Sequence, residues 1–103
     1  PDCDAIFCVT DSVAMGAMSY LKEIGKVVPK DIAVIGFSNW QISMIVDPPL
    51  SSVAQPSLEM GRMAIELLLQ EIQSEKNETP FDHQDIVLPT SLALRASSQR
   101  TDS

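Results

Sequence analysis

The strongest constraint on the fold is a pair of short apolar runs separated by an amphipathic helical pattern. Ala5–Val9 and Ile32–Phe37 are nearly continuous apolar runs, which are typical of parallel strands buried on both faces. Between them, apolar residues recur at helical spacing from position 11 to about Ile24, and Gly25 follows where a helix commonly ends. A strand, a helix and a strand within about 30 residues predict a right-handed βαβ unit. The fold class indicated is α/β, with a parallel sheet flanked by helices.

The rest of the sequence predicts further short elements. These are a short helix within 38–47, a strand at 51–54, a helix from 56 to about 74, strands at 86–88 and 91–95, and a frayed tail at 96–103. Two long apolar strands are too few for a parallel sheet, which needs neighbouring strands at its edges and helices over both faces. We therefore expect this segment to belong to a larger domain whose earlier part lies outside it.

Charge and cysteine content narrow the class of protein. The chain has 14 acidic and 7 basic residues, a net charge of −7, which would repel the phosphate backbone of nucleic acids. No apolar run reaches the ~18 residues of a membrane-spanning helix. Cys3 and Cys8 lie too far apart along one extended segment to form a disulfide, and two free thiols favour a cytoplasmic setting.

The sequence contains no recognisable set of catalytic residues. Its four glycines are scattered rather than grouped in a phosphate-binding loop, and no serine stands in a nucleophile motif. His83 is the single histidine and lies in a polar loop, where a solvated side chain is far commoner than a metal ligand. We predict that the protein is not an enzyme and has neither a metal site nor a cofactor.

Polar side chains follow three of the predicted strands. Thr10 and Asp11 come after the first strand, Ser38 and Asn39 after the second, and Gln55 after the third. Ligands of open α/β sheets bind beyond the carboxyl ends of the strands, and these groups suit the hydroxyls of a sugar. Each group also has a plainer interpretation: Asp11 would cap the helix, Ser38 and Asn39 would be turn residues, and Gln55 would be a loop amide. The pattern leaves both interpretations open.

Several apolar residues stand where the pattern leaves them near the surface. Trp40, just beyond a strand end, would either stack on a flat ligand or cover the short helix. Met15 lies beside, rather than on, the apolar face of its helix, which favours a partner surface. Ile45 and Val46 would either contact a dimer partner or be covered by the rest of the domain.

Five motifs in a fixed order carry a resemblance to a known family. They are TDSVAMGAM (Thr10–Met18), VPKDIAVIGF (Val28–Phe37), DPPLSSVAQP (Asp47–Pro56), MGRMAIELLL (Met60–Leu69) and IVLPTSLALRASS (Ile86–Ser98). Together they closely resemble the C-terminal portion of the lactose-repressor/galactose-repressor (LacI/GalR) family of bacterial transcription factors. The resemblance extends over nearly the whole chain.

This resemblance implies a fold and a function. Members of the family have a DNA-binding headpiece and a core like that of periplasmic sugar-binding proteins, with two three-layer α/β subdomains. A small-molecule effector, a sugar or a related compound, binds in the cleft and changes the operator affinity of the homodimer. Residues 1–54 and 86–98 would belong mainly to the C-terminal subdomain, 55–85 would cross into the N-terminal subdomain, and 99–103 would be a tail. A periplasmic sugar-binding protein of a transporter is the alternative.

The resemblance also implies roles for individual residues. Asp11 matches an Asp that contacts sugar hydroxyls in related binding proteins, Gln55 matches a cleft Gln, and Thr10 stands where the family often has Asn. Ser38-Asn39 departs from the family's usual Asp-Asp or Asp-Asn, so the first acidic ligand is lost. The positions that pack across the family's dimer interface are matched by Met15, Ile45 and Val46. We hypothesise that Trp40 compensates for the lost carboxylate by stacking on the effector.

Overall fold

A computed structural model describes residues 3–100 of the chain. Its elements in chain order are β1 (Ala5–Phe7), α1 (Asp11–Glu23), β2 (Ala33–Phe37), a first 3₁₀ helix (Gln41–Met44), β3 (Ser51–Ala54), α2 (Ser57–Lys76), β4 (Ser91–Ala93) and a second 3₁₀ helix (Ala96–Ser98). They divide into two compact units. Residues 3–55 and 90–100 form the first, which is called the sheet unit below, and residues 56–89 form the second, called the α2 unit.

The strands of the sheet unit form one sheet in the order β1-β2-β3-β4. β1 and β2 are parallel, as are β2 and β3, whereas β4 runs antiparallel to β3. In the register of the sheet, Gly36 lies opposite Ser52, and Ser52 lies opposite Ala93 on its other side. The parallel pairing brings the carboxyl ends of β1, β2 and β3 to the same end of the sheet. The predicted α/β fold class is confirmed.

α1 begins and ends at identifiable capping groups. Thr10 is the N-cap residue, with an extended backbone and a hydroxyl that accepts the Val13 N–H at 3.2 Å. At the other end, Gly25 has a φ of +82°, and its N–H donates to the Lys22 carbonyl at 3.1 Å. The N–H of Lys26 completes a Schellman motif by donating to the carbonyl three residues before the cap. The helix end predicted from Gly25 is therefore confirmed.

The core of the sheet unit lies where α1 packs on the sheet. Its buried apolar residues are Cys8, Ala14, Met18, Leu21, Val34 and Leu50. Burial raises the pKa of the Cys8 thiol, and Cys3 and Cys8 are both free thiols, as predicted. Ile24, expected on the apolar face of α1, is about half exposed, because it is the C-cap residue and lies beyond the last helical turn.

α2 extends slightly beyond its predicted end, and none of its residues is buried. Leu58, Ile65 and Leu69 are among its exposed apolar side chains. Arg62 pairs with Glu66 at 2.6 Å, as its spacing predicts, and also with Glu59. The described part of the chain therefore leaves these apolar side chains uncovered.

Two predictions about the C-terminal part of the chain are wrong. The segment 86–88 forms no strand, because it belongs to the α2 unit, where it pairs with no other described strand. Residues 96–98 are not frayed but form the second 3₁₀ helix, in which Ser97 is buried. Its hydroxyl donates to the Val34 carbonyl at 2.6 Å and accepts the Ser51 N–H at 2.7 Å, which ties this turn to the sheet. Residues 101–103 of the predicted tail lie outside the described residues.

Candidate functional site

The carboxylate of Asp11 lies buried at the carboxyl ends of the parallel strands. Asp11 is the first residue of α1 and is 0% exposed. Its Oδ2 accepts the Trp40 N–H at 2.7 Å, and its Oδ1 accepts the Ser52 hydroxyl at 2.7 Å. This one side chain therefore connects the segments that follow β1 and β2 with β3. The helix-cap interpretation of Asp11 is wrong, because the hydroxyl of Thr10 fills that position and the Asp11 carboxylate is bonded elsewhere.

The position of this carboxylate explains a glycine in β2. A Cβ built on Gly36 would lie 3.1 Å from the Asp11 Cα and 3.2 Å from Cδ2 of Leu50, and it would overlap Oδ1 of Asp11. Contacts this short are rare for real side chains, so residue 36 needs to be glycine as long as Asp11 is buried beside it. Gly36 is required here by a close approach and not by its backbone angles.

The three residues after β2, Ser38–Trp40, are called the β2 loop. Ser38 has a φ of +101° and Asn39 a φ of +55°, a region that residues with a Cβ rarely adopt and that stores strain. The loop is held by its backbone N–H groups, each of which has an acceptor. In chain order, these acceptors are the Val53 carbonyl at 2.9 Å, the Ser52 hydroxyl at 2.9 Å and the Asp11 carboxylate at 2.7 Å.

Side-chain contacts extend this group to the end of β3. The hydroxyl of Ser38 donates to Oε1 of Gln55 at 3.3 Å. Trp40 is the N-cap residue of the first 3₁₀ helix and is 48% exposed. We call the predicted effector residues, together with Ser52, the strand-end cluster. It consists of Thr10, Asp11, Ser38, Asn39, Trp40, Ser52 and Gln55. The structure brings the predicted residues to one end of the sheet, and their contact with an effector stays a prediction.

Sequence reasoning did not identify Arg95, which reaches this cluster from just beyond β4. Its Nη2 donates to Oδ1 of Asn39 at 2.7 Å, and its Nη1 donates to the Leu50 carbonyl at 2.6 Å and to the Ser43 hydroxyl at 3.1 Å. The sequence does contain a signal for it, since Arg95 is the one charged residue in the stretch 86–98. A long cation in an otherwise uncharged, strand-like stretch commonly has a specific partner.

The predicted dimer residues lie on another surface of the sheet unit. Met15 and Val46 line an open groove of about 480 Å³, together with Val28 and Pro48 among others. Both side chains also pack partly against the core. Ile45 does not line this groove and is 79% exposed. The structure thus brings Met15 and Val46 together in a groove lined by apolar side chains and by Lys22, Lys26 and Asp47, and the dimer contact of all three predicted residues stays a prediction.

Residues 3–100 show neither a metal-binding cluster nor a membrane-spanning helix. No group of three or more His, Cys, Asp or Glu side chains in this part of the chain is arranged to hold a metal ion. Nor does any helix between these limits combine the length and the apolar character needed to cross a bilayer. His83 is exposed in the α2 unit, and its ring lies edge-on to Phe81, with the ring centroids 5.6 Å apart.

Comparison with known sequences gives a consistent result. The family described as periplasmic binding protein-like domain matches residues 1–98. The HTH-type transcriptional regulator MalR of Streptomyces coelicolor is 37% identical over 97 residues, which is 94% of this chain and 27% of that regulator. The HTH-type transcriptional repressor CytR of Escherichia coli K12 is 45% identical over 71 residues, which is 69% of this chain and 21% of that repressor. The chain thus spans about a quarter of the length of these relatives.

Comparison with solved structures agrees with this result. The transcriptional regulator CelR in its cellobiose complex matches 95% of this chain with a TM-score of 0.86 and 35% identity, over 29% of its own chain. A LacI family transcriptional regulator from Enterococcus faecalis V583 with bound ribose matches 95% of this chain with a TM-score of 0.84 and 33% identity, over 35% of its own chain. At these identities the likeness extends to the family as well as to the fold.

Proposed function

The chain belongs to the LacI family of transcriptional regulators, within the periplasmic binding protein-like domain family. From this premise we propose that it forms part of the effector-binding and dimerisation core of a bacterial DNA-binding regulator. The relatives are regulators and not enzymes, which agrees with the prediction from the sequence. In this proposal the protein is cytoplasmic. The operator is bound by a headpiece outside this segment, because the segment itself has a net charge of −7 and repels DNA.

The single observation that carries this proposal is the strand-end cluster. Polar groups from the ends of three parallel strands are joined by hydrogen bonds at the end of the sheet where open α/β folds bind ligands. The β2 loop is held there in a strained backbone conformation, and such strain is concentrated at functional sites.

The chemistry of the cluster favours a small, neutral, polar effector. Thr10, Ser38, Asn39 and Gln55 offer hydroxyl and amide groups that both donate and accept hydrogen bonds, as sugar hydroxyls do. Trp40, half exposed beside them, offers an aromatic face on which a sugar ring can stack. Two solved relatives are complexes with cellobiose and with ribose, which supports a sugar or a related compound as the effector class.

The contribution of Asp11 in this proposal has two possible routes. Its carboxylate either contacts the effector directly, as the resemblance implies, or acts through the β2 loop. Complete burial and two hydrogen bonds within the chain favour the second route in the described conformation. Either route makes effector affinity depend on this carboxylate.

Proximity within one helix supports the allosteric part of the proposal. Asp11 of the strand-end cluster and Met15 of the groove lie one turn apart on α1. The β2 loop likewise leads directly into the first 3₁₀ helix and then into Val46. An effector that binds two arrangements of these elements with different affinity would shift the homodimer between them and so change operator affinity.

The test uses the full-length protein that contains this chain. Thermal-shift screening against neutral mono- and disaccharides, with D-ribose and cellobiose among them, should identify a stabilising sugar, since a ligand that binds the native state stabilises it by mass action. Fluorescence anisotropy with promoter DNA from the protein's own operon should then show an operator affinity that changes when that sugar is added. Gln55→Ala should reduce the thermal shift caused by the sugar.

Gln73→Ala is the matched control, because Gln73 is an exposed amide on α2 that bonds Asn77 and not the cluster. This variant should retain the full thermal shift. If no sugar stabilises the protein, or if a bound sugar leaves operator affinity unchanged, the proposal is wrong. Sugar binding by a full-length protein that has no affinity for DNA would instead support the periplasmic sugar-binding alternative.

A further inference from the structure

The guanidinium of Arg95 is fixed by acceptors from three segments of the sheet unit. These acceptors are Oδ1 of Asn39 at 2.7 Å, the Leu50 carbonyl at 2.6 Å and the Ser43 hydroxyl at 3.1 Å. The backbone of Arg95 is held as well, since its N–H donates to the Ser51 hydroxyl at 2.7 Å and its carbonyl accepts from that hydroxyl at 2.9 Å. Because the guanidinium is planar and its donors form a rigid fork, these contacts fix both its place and its orientation.

The contact with Arg95 determines which way the Asn39 amide faces. A guanidinium can only donate hydrogen bonds, so the amide atom beside it has to be the oxygen, and Nδ2 is directed away from Arg95. Within residues 3–100, no hydrogen bond from this Nδ2 to another residue is present. The backbone N–H of Asn39 is already bonded to the Ser52 hydroxyl. The polar group that Asn39 presents outward is therefore an N–H donor.

Arg95 also connects the β2 loop to the first 3₁₀ helix. The Ser43 hydroxyl that accepts from Arg95 donates in turn to the Trp40 carbonyl. Asn39 and Trp40 are thus both held in relation to Arg95, one directly and one through Ser43. Ser43 is itself fully buried, so this connection is shielded from water. Hydrogen bonds are electrostatically stronger in such an interior than in water.

We infer that Arg95 is a positioning residue for effector recognition, which orients Asn39 so that position 39 donates a hydrogen bond to an oxygen of the effector. This inference rests on the proposed function, in which the β2 loop faces the effector. A carboxylate at position 39 would pair with Arg95 and present only acceptor oxygens. Arg95 and Asn39 together therefore determine which hydrogen-bond partner this position selects.

The test is a double-mutant cycle in the full-length regulator, with effector affinity measured by isothermal titration calorimetry. The probe is the sugar found by the thermal-shift screen described above. Arg95→Lys should weaken its binding by about tenfold, because a compact ammonium cannot reach the acceptors that Nη1 and Nη2 of the guanidinium reach separately, so Asn39 is no longer oriented and one hydrogen bond to the effector is lost. In an Asn39→Ala background, the same substitution should cause no further loss, since Arg95 acts through Asn39. Asn39→Asp should also bind the sugar more weakly, because it removes the donor.

Arg100→Lys is the matched control. Arg100 also donates to backbone carbonyls, those of Asp4, Pro29 and Asp31, but these precede β1 and β2 and so lie at the opposite ends of the strands from the cluster. This variant should leave sugar affinity unchanged. Equal losses for Arg95→Lys with and without Asn39 would overturn the inference, and so would unchanged or tighter binding by Asn39→Asp.

A second measurement keeps the inference separate from the proposed function. The ¹⁹F resonance of 5-fluorotryptophan at position 40, assigned with Trp40→Phe, reports on the β2 loop without any ligand. Arg95→Lys should shift or broaden this resonance, whereas Arg100→Lys should not. If no sugar binds, the proposed function fails, and this resonance still tests Arg95: an unchanged signal in Arg95→Lys would show that Arg95 does not position the loop.

Discussion

Substitution of Asp11 tests whether its buried carboxylate, and not the start of α1, is what stabilises this end of the sheet. Asp11→Ala removes the acceptor of the Trp40 N–H and of the Ser52 hydroxyl. A buried donor left without an acceptor costs about 1–3 kcal/mol, so two such donors set an upper range of about 2–6 kcal/mol. Because Trp40 is half exposed, water can solvate part of that loss, and we expect the free energy of unfolding to fall by about 3 kcal/mol.

Two further variants separate the possible causes. In Asp11→Asn, the amide oxygen can still accept the Trp40 N–H, and the amide nitrogen can donate to the Ser52 hydroxyl. The charge assistance is lost, and the buried Ser52 hydroxyl, which donates to Asp11 in the wild type, loses its acceptor, so this variant should cost about 1–2 kcal/mol. Thr10→Ala removes the cap hydroxyl that accepts the Val13 N–H, and it should cost about 1 kcal/mol. The expected order of destabilisation places Asp11→Ala well above the other two.

The assay is urea-induced unfolding of the full-length protein, followed by far-UV circular dichroism and compared at unchanged m-values. If Asp11→Ala costs no more than Thr10→Ala, the buried hydrogen bonds of Asp11 do not contribute as the structure indicates. Sugar affinity measured on the same variants separates the two routes proposed for Asp11. A loss that is much larger for Asp11→Ala than for Asp11→Asn indicates action through the β2 loop. An equal loss in both, with Asp11→Asn stable, indicates direct contact with the effector.

Two other predictions concern packing and assembly. Gly36→Ala should destabilise the protein by about 1–3 kcal/mol through overpacking against Asp11. Gly16→Ala in α1, where an added Cβ meets no atom within 4 Å, should instead stabilise it by about 0.5–1 kcal/mol. Similar urea midpoints for the two variants would contradict this prediction. Met15→Glu should shift the full-length protein from dimer to monomer in sedimentation velocity, because it replaces a partly buried apolar side chain of the groove with a carboxylate that an interface would have to desolvate. Tyr20→Glu, at an exposed position of α1 outside the groove, should leave the sedimentation profile unchanged.

The parts of the fold that could be predicted from the sequence are those determined by local patterns. The apolar runs gave β1 and β2, the helical spacing and Gly25 gave α1, and the positions of Thr10–Asp11, Ser38–Asn39 and Gln55 at strand ends gave the cluster. Each of these features depends on neighbours in sequence, through a continuous apolar run, helical spacing or helix capping. The parallel sheet then brings the strand ends together without any further information.

The missed features depend on pairs of residues far apart in the chain. Arg95 contacts Asn39 across 56 positions, and the Ser97 hydroxyl contacts the Val34 carbonyl across 63. Serine and arginine are commonly surface residues, so composition alone predicts solvated side chains at 95 and 97. The strand expected at 86–88 failed for a related reason, since strand propensity does not specify a partner and this segment has none among the described strands.

Asp11 and Gly36 illustrate a constraint that the sequence contains but that no single position reveals. Taken alone, Asp11 at the start of a helix indicates a cap, and Gly36 inside a strand indicates only a weak point in the sheet. In the structure, the carboxylate of one residue occupies the space that a side chain on the other would need. A carboxylate this deeply buried is tolerated because both of its oxygens accept hydrogen bonds, and one of those bonds holds the strained β2 loop through Trp40. The glycine therefore makes room for the acid, and the acid in turn fixes the loop, so a side chain at position 36 should disturb the β2 loop as well as the packing of the sheet.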